Sequence, residues 1–171
     1  MLIYILAAAA LVALDQWTKY WTVSHLALGE TAPFLEGFVQ LHRIHNTGGG
    51  WSILSDHTWL LTLMTAVVLV VLAVILARKI IRHPLGVWMA HILFAGGLGN
   101  LIDRIRLGYV VDMFDFQFMN YPVFNVADIC VVIGVIGCAV YYIFLYEKYD
   151  APKPPVEEET EDNGTADSDL Q

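Results

Sequence analysis

The chain contains an uninterrupted apolar run at Thr58–Ala77, with the sequence TWLLTLMTAVVLVVLAVILA. These 20 residues carry no charge, and an α-helix of about 20 apolar residues is long enough to cross the hydrocarbon core of a bilayer. Three further runs approach this length and character: Met1–Leu14, Pro84–Ile102 and Ile129–Tyr146. The first run lacks the basic n-region and the small-residue cleavage site of a signal peptide, so we expect it to be retained as a span. We therefore predict an all-α membrane protein with four transmembrane helices.

The distribution of lysine and arginine predicts how the spans are oriented. The short connection at 78–83, RKIIRH, holds three positive charges, and such connections are typical of the cytoplasmic side. The opposite side carries Arg43, Arg104 and Arg106, so the asymmetry is moderate. With four spans, both termini are then expected in the cytoplasm.

The acidity of the chain belongs to its C-terminal end. The net charge is −8, and residues 150–171 contribute −7 of it, from eight acidic residues and one lysine. This segment is rich in proline and acidic residues and poor in apolar ones, a composition typical of disorder. We predict a membrane domain at residues 1–149 followed by a disordered acidic cytoplasmic tail at 150–171. No basic cluster with interleaved aromatic residues occurs, so nucleic acid is not an expected partner.

Two segments between the spans favour extended structure. Gly37–Ile44 is rich in β-forming residues and is followed by a glycine-rich turn. In 114–118, phenylalanine alternates with aspartate and glutamine, which is the periodicity of a strand. A short amphipathic piece at Trp51–Leu54 could lie at the membrane interface. We thus expect a small extracytoplasmic segment that contains β-structure.

Polar residues gather at corresponding ends of the predicted spans. Asp15 lies near the end of the first span and Asp103 near the end of the third. Asn46 precedes the second span and Asp128 lies at the start of the fourth. Because successive spans run in opposite directions, these positions face the same side of the membrane, and polar groups there usually face a cavity or one another. We predict a pocket near the outer leaflet, formed by Asp15, Lys19, Asn46, Asn100, Asp103, Arg104, Asn125 and Asp128.

Spacing within the spans supports this convergence. Asp15 and Lys19 are four residues apart on a helix, so they share a face and can form an ion pair. The glycines of Gly96–Gly99 are typical of helices that pack closely in membranes.

Three other kinds of site and function are less well supported. The extramembrane histidines match no tetrahedral ligand spacing, so we predict no metal site; they are His25, His42, His45 and His57. A proton-coupled transporter would also use intramembrane carboxylates, but here the polar residues lie at one end of the spans. A non-catalytic scaffold would need the glycine-rich packing but not the aspartates and asparagines.

Five short motifs resemble those of the lipoprotein signal peptidases, or type II signal peptidases. They occur in the family's order between about residues 12 and 145: DQxTK at 15–19, NxG at 46–48, GGxGNxxDR at 96–104, VVD at 110–112 and FNxAD at 124–128. One departure is Gly49-Gly50-Trp51, where the family usually has two alanines before the aromatic residue.

The resemblance implies an activity and a set of roles. The family members are membrane aspartic endopeptidases that cleave prolipoproteins just before a diacylglyceryl-modified cysteine, and they need no cofactor. Lipid-modified prolipoproteins and membrane lipids are the implied partners, and the cyclic peptide antibiotic globomycin is the implied inhibitor. The catalytic pair falls on Asp112 and Asp128. Residues that bind substrate or organise the site fall on Asp15, Lys19, Asn46, Asn100, Asp103, Arg104 and Asn125.

Asp115 is the alternative to Asp112 as the partner of Asp128. If residues 111–118 form one continuous strand, Asp112 shares a face with Phe114 and Phe116, whereas Asp115 faces the other way. A carboxyl group on the apolar face is the better candidate for a shared proton. Strand periodicity therefore favours Asp112 provided that no bulge interrupts the strand at Met113, and the motif independently assigns Asp112.

Overall fold

The computed structural model describes residues 2–48 and 57–151. The predicted interfacial piece at Trp51–Leu54, the Gly49-Gly50-Trp51 departure and the tail from residue 152 onward lie outside these residues. The elements, in chain order, are α1 (Leu2–His25), β1 (Thr31–Leu35), β2 (Val39–Asn46), α2 (Thr58–Ala77), α3 (Pro84–Leu107), β3 (Val110–Phe116), α4 (Val126–Phe144) and α5 (Tyr146–Tyr149).

The four long helices confirm the predicted membrane architecture. Each of α1 to α4 is long and apolar enough to cross a bilayer. Helices α1 and α3 both have 24 residues and extend past the apolar runs that predicted them. Their last three turns therefore carry pocket residues on continuous helix rather than on loops: Asp15 and Lys19 in α1, and Asn100, Asp103 and Arg104 in α3.

Helix α3 lies at the centre of the bundle, packed against the other three long helices. Small residues allow the close approach to α4. A Cβ added to Gly96 would lie 2.5 Å from the backbone oxygen of Ala127, and one added to Gly134 would lie 2.7 Å from the Cα of Leu93. The predicted role of the glycine run in helix packing is thus confirmed for Gly96.

The ends of α3 follow from local sequence. Pro84 occupies the first turn, where its missing N–H costs nothing, and the preceding His83 accepts a hydrogen bond from the Leu85 N–H. At the other end, Gly108 adopts φ 81°, the left-handed conformation that commonly terminates helices. This turn leads directly into β3 and so places the strand beside the end of α3.

The three strands form one antiparallel sheet in the order β1-β2-β3. The prediction of extended structure is confirmed with shifted bounds, because β2 begins at Val39 while Gly37 lies in the turn before it with φ 74°. In the β2–β3 pairing, Leu41 faces Phe114 and Ile44 faces Asp112, so the extra residue belongs to β2. On its other edge β3 is bulged at Met113, because the N–H groups of both Met113 and Phe114 donate to the Phe124 carbonyl, at 3.0 and 2.8 Å. The continuous strand that the face argument for Asp112 requires is therefore interrupted.

The C-terminal end of the described chain is attached to the bundle. Residue Asp150, assigned to the tail from composition, accepts hydrogen bonds from the backbone N–H groups of Arg82 and His83, both at 3.0 Å, and from the Tyr141 hydroxyl. Asp150 therefore contacts the folded bundle although the predicted domain limit is 149, since its carboxylate accepts N–H groups of the α2–α3 connection.

Candidate active site

The predicted pocket residues meet at one end of the bundle. Asp15 and Lys19 come from α1, and Asn46 ends β2. Helix α3 supplies Asn100, Asp103 and Arg104, strand β3 supplies Asp112, and the start of α4 supplies Asn125 and Asp128. Each of these side chains except Arg104 makes a hydrogen bond or ion pair with another pocket residue. Arg104 donates to the backbone carbonyl of Gly48, two residues after Asn46.

Asp112 is buried on β3 and held by two amide groups. Its side chain is 1% exposed. Asn46 Nδ2 donates to Oδ2 at 2.9 Å, and Asn125 Nδ2 donates to Oδ1 at 2.6 Å. Burial, followed by the negative charge of Asp128, raises the pKa of Asp112 from 3.8 to about 7, while the two amide donors oppose the rise. Asp112 is therefore a carboxyl group that can hold a proton near neutral pH.

Asp128 is fixed by the helix that it begins. Asn125 caps α4, its Oδ1 accepting the Asp128 N–H at 2.9 Å, while Asp128 Oδ2 accepts the Asn125 N–H at 3.1 Å. This reciprocal arrangement satisfies two N–H groups that a helix start otherwise leaves unpaired. The other oxygen, Oδ1, accepts Asn100 Nδ2 at 2.7 Å. Asn125 thus contacts both aspartates and brings them to one side of the cavity.

The alternative carboxylate, Asp115, lies away from this cluster. Its Oδ2 accepts Gln40 Nε2 at 2.8 Å and lies 3.4 Å from His42 Nδ1. It is half-buried on the part of β3 that pairs with the start of β2. Asp112, and not Asp115, shares the contact with Asn125 that Asp128 makes. The face argument does not carry this choice, because the bulge at Met113 interrupts the alternation of faces along β3.

Behind the two aspartates, Lys19 is buried between two carboxylates. Its Nζ lies 2.9 Å from Asp15 Oδ2 and 3.1 Å from Asp103 Oδ2, and it donates to Asn100 Oδ1 at 3.0 Å. Lys19 is 3% exposed, Asp15 is 1% and Asp103 is 4%. The predicted Asp15–Lys19 pair is present, and we call these three residues the Lys19 cluster.

Arg104 is turned toward the cavity instead of joining the Lys19 cluster. Its Nη2 donates to the Gly48 carbonyl at 3.1 Å, while its buried Nε has no hydrogen-bond partner among the described residues. It lies on the walls of both the polar cavity and an apolar groove beside it. Arg104 therefore places a guanidinium group where the polar cavity meets the apolar groove.

The cavity in front of the aspartates has a volume of about 200 Å³. Its polar wall contains both aspartates and Arg104, and its outer wall is formed by 121–124, the segment before α4. An apolar groove of about 350 Å³ between α2, α3 and α4 reaches Asp128 from one side. A second groove, between Phe116, Phe124 and the lipid-facing residues of α4, reaches it from the other. The site thus combines a polar centre with two apolar approaches.

Gln16 is a residue of the site that the sequence did not predict. Its Nε2 donates to Asp103 Oδ1 at 2.9 Å and to Asp15 Oδ2 at 3.2 Å, so it bridges the two carboxylates of the Lys19 cluster. The sequence feature that could have indicated this role is its position next to Asp15 in the first motif. Among residues 2–48 and 57–151, no three His, Cys, Asp or Glu side chains are placed to share a metal ion; His45, for example, stacks on Tyr109.

Comparisons with known proteins agree with this geometry. A family model described as signal peptidase (SPase) II matches residues 7–145. The chain is 44% identical over 151 residues to the lipoprotein signal peptidase of Enterococcus faecalis, covering 86% of this chain and 91% of that protein. It is 43% identical over 140 residues to that of Lactiplantibacillus plantarum, covering 80% and 91% respectively.

Solved structures of bacterial membrane enzymes share the fold. One, determined in meso at 2.3 Å resolution, superposes with a TM-score of 0.79 at 29% identity, over 92% of this chain and 96% of that one. Another, at 1.9 Å resolution, gives a TM-score of 0.77 at 30% identity, over 84% and 94%.

Proposed function

Since the chain belongs to the lipoprotein signal peptidase (signal peptidase II) family, we propose that it cleaves as an aspartic endopeptidase whose catalytic pair is Asp112 and Asp128. The family gives the activity, removal of signal peptides from prolipoproteins by a multi-pass membrane peptidase. The observation that carries the catalytic assignment is the position of Asn125, which hydrogen-bonds Asp112 through its side chain and Asp128 through its backbone. Two carboxyl groups held by one residue at the wall of a cavity form a natural acid–base pair.

The chemistry needs one proton shared by the two carboxyl groups. The negative charge of Asp128 opposes ionisation of Asp112, so one carboxyl group of the pair remains protonated while the other is a base. The base takes a proton from a water molecule, whose oxygen attacks the scissile carbonyl carbon while the protonated carboxyl group polarises the carbonyl oxygen. Collapse of the tetrahedral intermediate breaks the C–N bond. The leaving amine takes up the proton that the base removed from the water molecule, the carbonyl oxygen returns its proton to the acid, and the signal peptide departs with a new carboxyl terminus.

The uncharged amides around the pair suit this mechanism. Asn46, Asn100 and Asn125 donate to the carboxylate oxygens without adding a charge that would remove the shared proton. Arg104, which lines the cavity together with both aspartates, is placed to bind a carbonyl group of the substrate next to the scissile bond. These residues would orient the peptide and the pair without taking part in proton transfer.

The two apolar grooves suit a substrate that is both a peptide and a lipid. A prolipoprotein cleaved just before a diacylglyceryl-modified cysteine brings acyl chains and an apolar signal peptide to the same bond. The groove between α2, α3 and α4 and the groove beside Phe116 both end at Asp128, so each could receive one of these parts from the bilayer. The family assignment leaves no support for the alternative of a proton-coupled transporter.

The orientation that we propose places the active site near the outer leaflet of the bacterial inner membrane, with both termini in the cytoplasm. It rests on the three positive charges of the connection at 78–83. A reporter that functions only in the cytoplasm should be active when it is fused after Ala151, and a reporter that requires export should be inactive there. A reporter that requires export and is active at this position would reverse the orientation.

The implied inhibitor gives an independent test of the site. We propose that globomycin-type cyclic peptides bind in the cavity lined by Asp112 and Asp128. Inhibition should therefore be competitive with a lipid-modified precursor, and non-competitive inhibition would place the cyclic peptide elsewhere.

The catalytic assignment is tested by isosteric amide variants. Asp112→Asn and Asp128→Asn should each abolish cleavage of a diacylglyceryl-modified precursor by the purified protein, because each removes one member of the proton-sharing pair. Asp115→Asn is the matched control on the same strand and should retain activity within a few-fold. Membrane insertion and thermal stability are measured for all three. An active Asp112→Asn variant with an inactive, correctly inserted Asp115→Asn variant would overturn the assignment.

A further inference from the structure

We propose that the Lys19 cluster positions the two catalytic aspartates, by holding the backbone N–H group that precedes each of them. This inference rests on the proposed function of Asp112 and Asp128. It assigns to Asp15, Lys19 and Asp103 a definite role as positioning residues, in addition to their part in the stability of the bundle.

The first contact runs from Asp103 to β3. Asp103 Oδ2 accepts the backbone N–H of Val111 at 3.1 Å, and Val111 is the residue directly before Asp112. Val111 is 2% exposed, so its N–H would be costly to leave without a partner. The carboxylate of Asp103 satisfies this N–H and so fixes β3, at Asp112, against the end of α3.

The second contact runs from Asp15 to α4. Asp15 Oδ1 accepts the backbone N–H of Ala127 at 2.9 Å, and Ala127 is the residue directly before Asp128. This N–H belongs to the first turn of α4, where no helical acceptor exists, and a negative charge there is favoured by the helix dipole. Asp15 can approach this closely because Gly99 lacks a side chain; a Cβ there would lie 2.6 Å from Asp15 Oδ2.

Lys19 joins the two contacts. An ammonium group has three N–H donors, and here they are directed at Asp15, Asp103 and Asn100. The contact with Asn100 Oδ1 orients that amide so that its Nδ2 faces Asp128. Each partner of the ammonium group therefore makes one hydrogen bond toward the catalytic pair. Asn100 bonds Asp128 directly, Asp103 bonds the N–H of Val111, and Asp15 bonds the N–H of Ala127.

Stability alone is a weak explanation for this arrangement. A buried ion cluster contributes little net stability, because the cost of removing charges from water offsets their attraction. The Lys19 cluster instead serves the geometry of the site. Asp15 lies on α1 and Asp103 on α3, two long helices that keep these carboxylates at a fixed separation. Misplacement of a reacting group by about 1 Å can cost on the order of 100-fold in rate. The Lys19 cluster would hold Asp112 and Asp128 within that limit.

The test removes one carboxylate at a time. Asp103→Ala and Asp15→Ala each leave Lys19 paired with one carboxylate, so neither variant leaves an uncompensated buried charge. We expect kcat for a lipid-modified precursor to fall by about 10- to 100-fold with KM within about threefold, because the grooves and Arg104 are untouched. Asp103→Asn and Asp15→Asn, which retain one acceptor oxygen, replace the alanine variants if these fail to insert into the membrane.

Two controls separate positioning from stability. Gly86→Ala lowers stability at the opposite end of α3, where a Cβ would lie 2.6 Å from the Ile81 side chain; its kcat should stay close to that of the unmodified protein under conditions where all variants remain folded. Asp115→Asn removes a carboxylate from β3 without touching the Lys19 cluster, and its kcat should also be retained.

Hydrogen exchange provides a readout that does not depend on activity. Asp103→Ala should speed exchange in the peptide that contains Val111, and Asp15→Ala in the one that contains Ala127, with the other site less affected. Unchanged kcat and exchange in folded variants would overturn the proposal, and so would losses of kcat that only follow thermal stability, as judged by Gly86→Ala. If instead Asp112→Asn proved active, the catalytic assignment would fail while the exchange measurements would still report on these contacts.

Discussion

At the scale of single residues, Asn125 is the point at which the proposed catalytic pair is held together. It caps α4 through Oδ1, donates to Asp112 through Nδ2, and donates to Asp128 through its backbone N–H. It is completely buried, with an exposure of 0%. One neutral side chain therefore serves both the fold of α4 and the alignment of the two carboxyl groups.

Asn125→Asp separates these two roles. Aspartate caps helices about as well as asparagine, so α4 should still begin at Val126, but the donor to Asp112 is replaced by a third carboxyl group. We expect kcat to fall by about 100-fold or more, as for the loss of one well-placed donor in an active site. Asn125→Ser, which keeps a neutral cap, should lose less. An Asn125→Asp variant with kcat within threefold of the unmodified protein would contradict this account.

The pKa of Asp112 predicts how the rate depends on pH. Burial and the charge of Asp128 raise this pKa from 3.8 to about 7, so Asp112 retains its proton below about pH 7 and loses it above. Loss of that proton removes the acid from the pair, and kcat should therefore fall as the pH rises through about 7. At low pH both carboxyl groups are protonated, the base is lost, and the rate falls again. A profile without a falling limb between pH 6 and pH 9 would contradict the assignment, and Asp115→Asn should leave the profile unchanged.

At the scale of elements, the site depends on how closely α3 and α4 approach each other. The proposed catalytic residue Asp128 directly follows Ala127, whose backbone oxygen contacts Gly96. A change in the separation of these helices would move Asp128 relative to Asn100, which donates to it from α3. Helix packing and the geometry of the site are therefore coupled through the same turn of α4.

Gly96→Ala tests this coupling. The added Cβ would lie 2.5 Å from Ala127 O and 2.8 Å from Val131 N, and backbone atoms of a packed helix cannot move aside cheaply. Overpacking of this kind costs about 1–3 kcal/mol, so we expect a lower Tm together with a lower kcat. Gly97→Ala is the matched control, because its Cβ would meet the flexible side chain of Leu69. Equal Tm values for the two variants would contradict the packing argument.

The sequence predicted most elements because their signals are local. Uncharged runs identify spans, and alternation of phenylalanine with polar residues identifies β3. Strand β1 was missed, since TAPFL at Thr31–Leu35 is short and contains Pro33, a residue confined to edge strands. The contact between Asp15 and the Ala127 N–H could not be predicted either. Helical periodicity indicates which residues of α1 share a face. It does not indicate which peptide group that face contacts in α4, 112 residues further along the chain.

At the scale of the whole molecule, all the proposed chemistry lies at one end of the bundle and is carried by side chains alone. Two carboxyl groups and a water molecule suffice to hydrolyse a peptide bond. We therefore expect cleavage to continue unchanged in the presence of a strong chelator of divalent ions. Complete loss of cleavage in the chelator, restored by adding one divalent ion, would show that the carboxyl pair does not act alone.

The opposite end of the bundle is closed by Asp150. Its Oδ2 accepts the N–H groups of Arg82 and His83 and the Tyr141 hydroxyl, and so joins the segment after α5 to the α2–α3 connection. Burial opposes ionisation of Asp150, but these hydrogen bonds outweigh it and lower its pKa. A lowered pKa means that the contribution of Asp150 to stability is present at neutral pH and is lost only as the pH falls through that pKa.

Two truncations that differ by two residues test where the folded part ends. Removal of everything after Ala151 should leave Tm unchanged and activity within a few-fold, because the contacts of Asp150 are retained. Removal of everything after Tyr149 deletes Asp150 and leaves the Arg82 and His83 N–H groups without their acceptor, so Tm should fall by a few degrees. Asp150→Asn in the full chain retains the chain length but not the charge, and it should show a smaller fall in Tm. Equal Tm values for the two truncated proteins would restore the domain limit to residue 149, whereas a correctly inserted but inactive protein ending at Ala151 would make the acidic tail part of the enzyme.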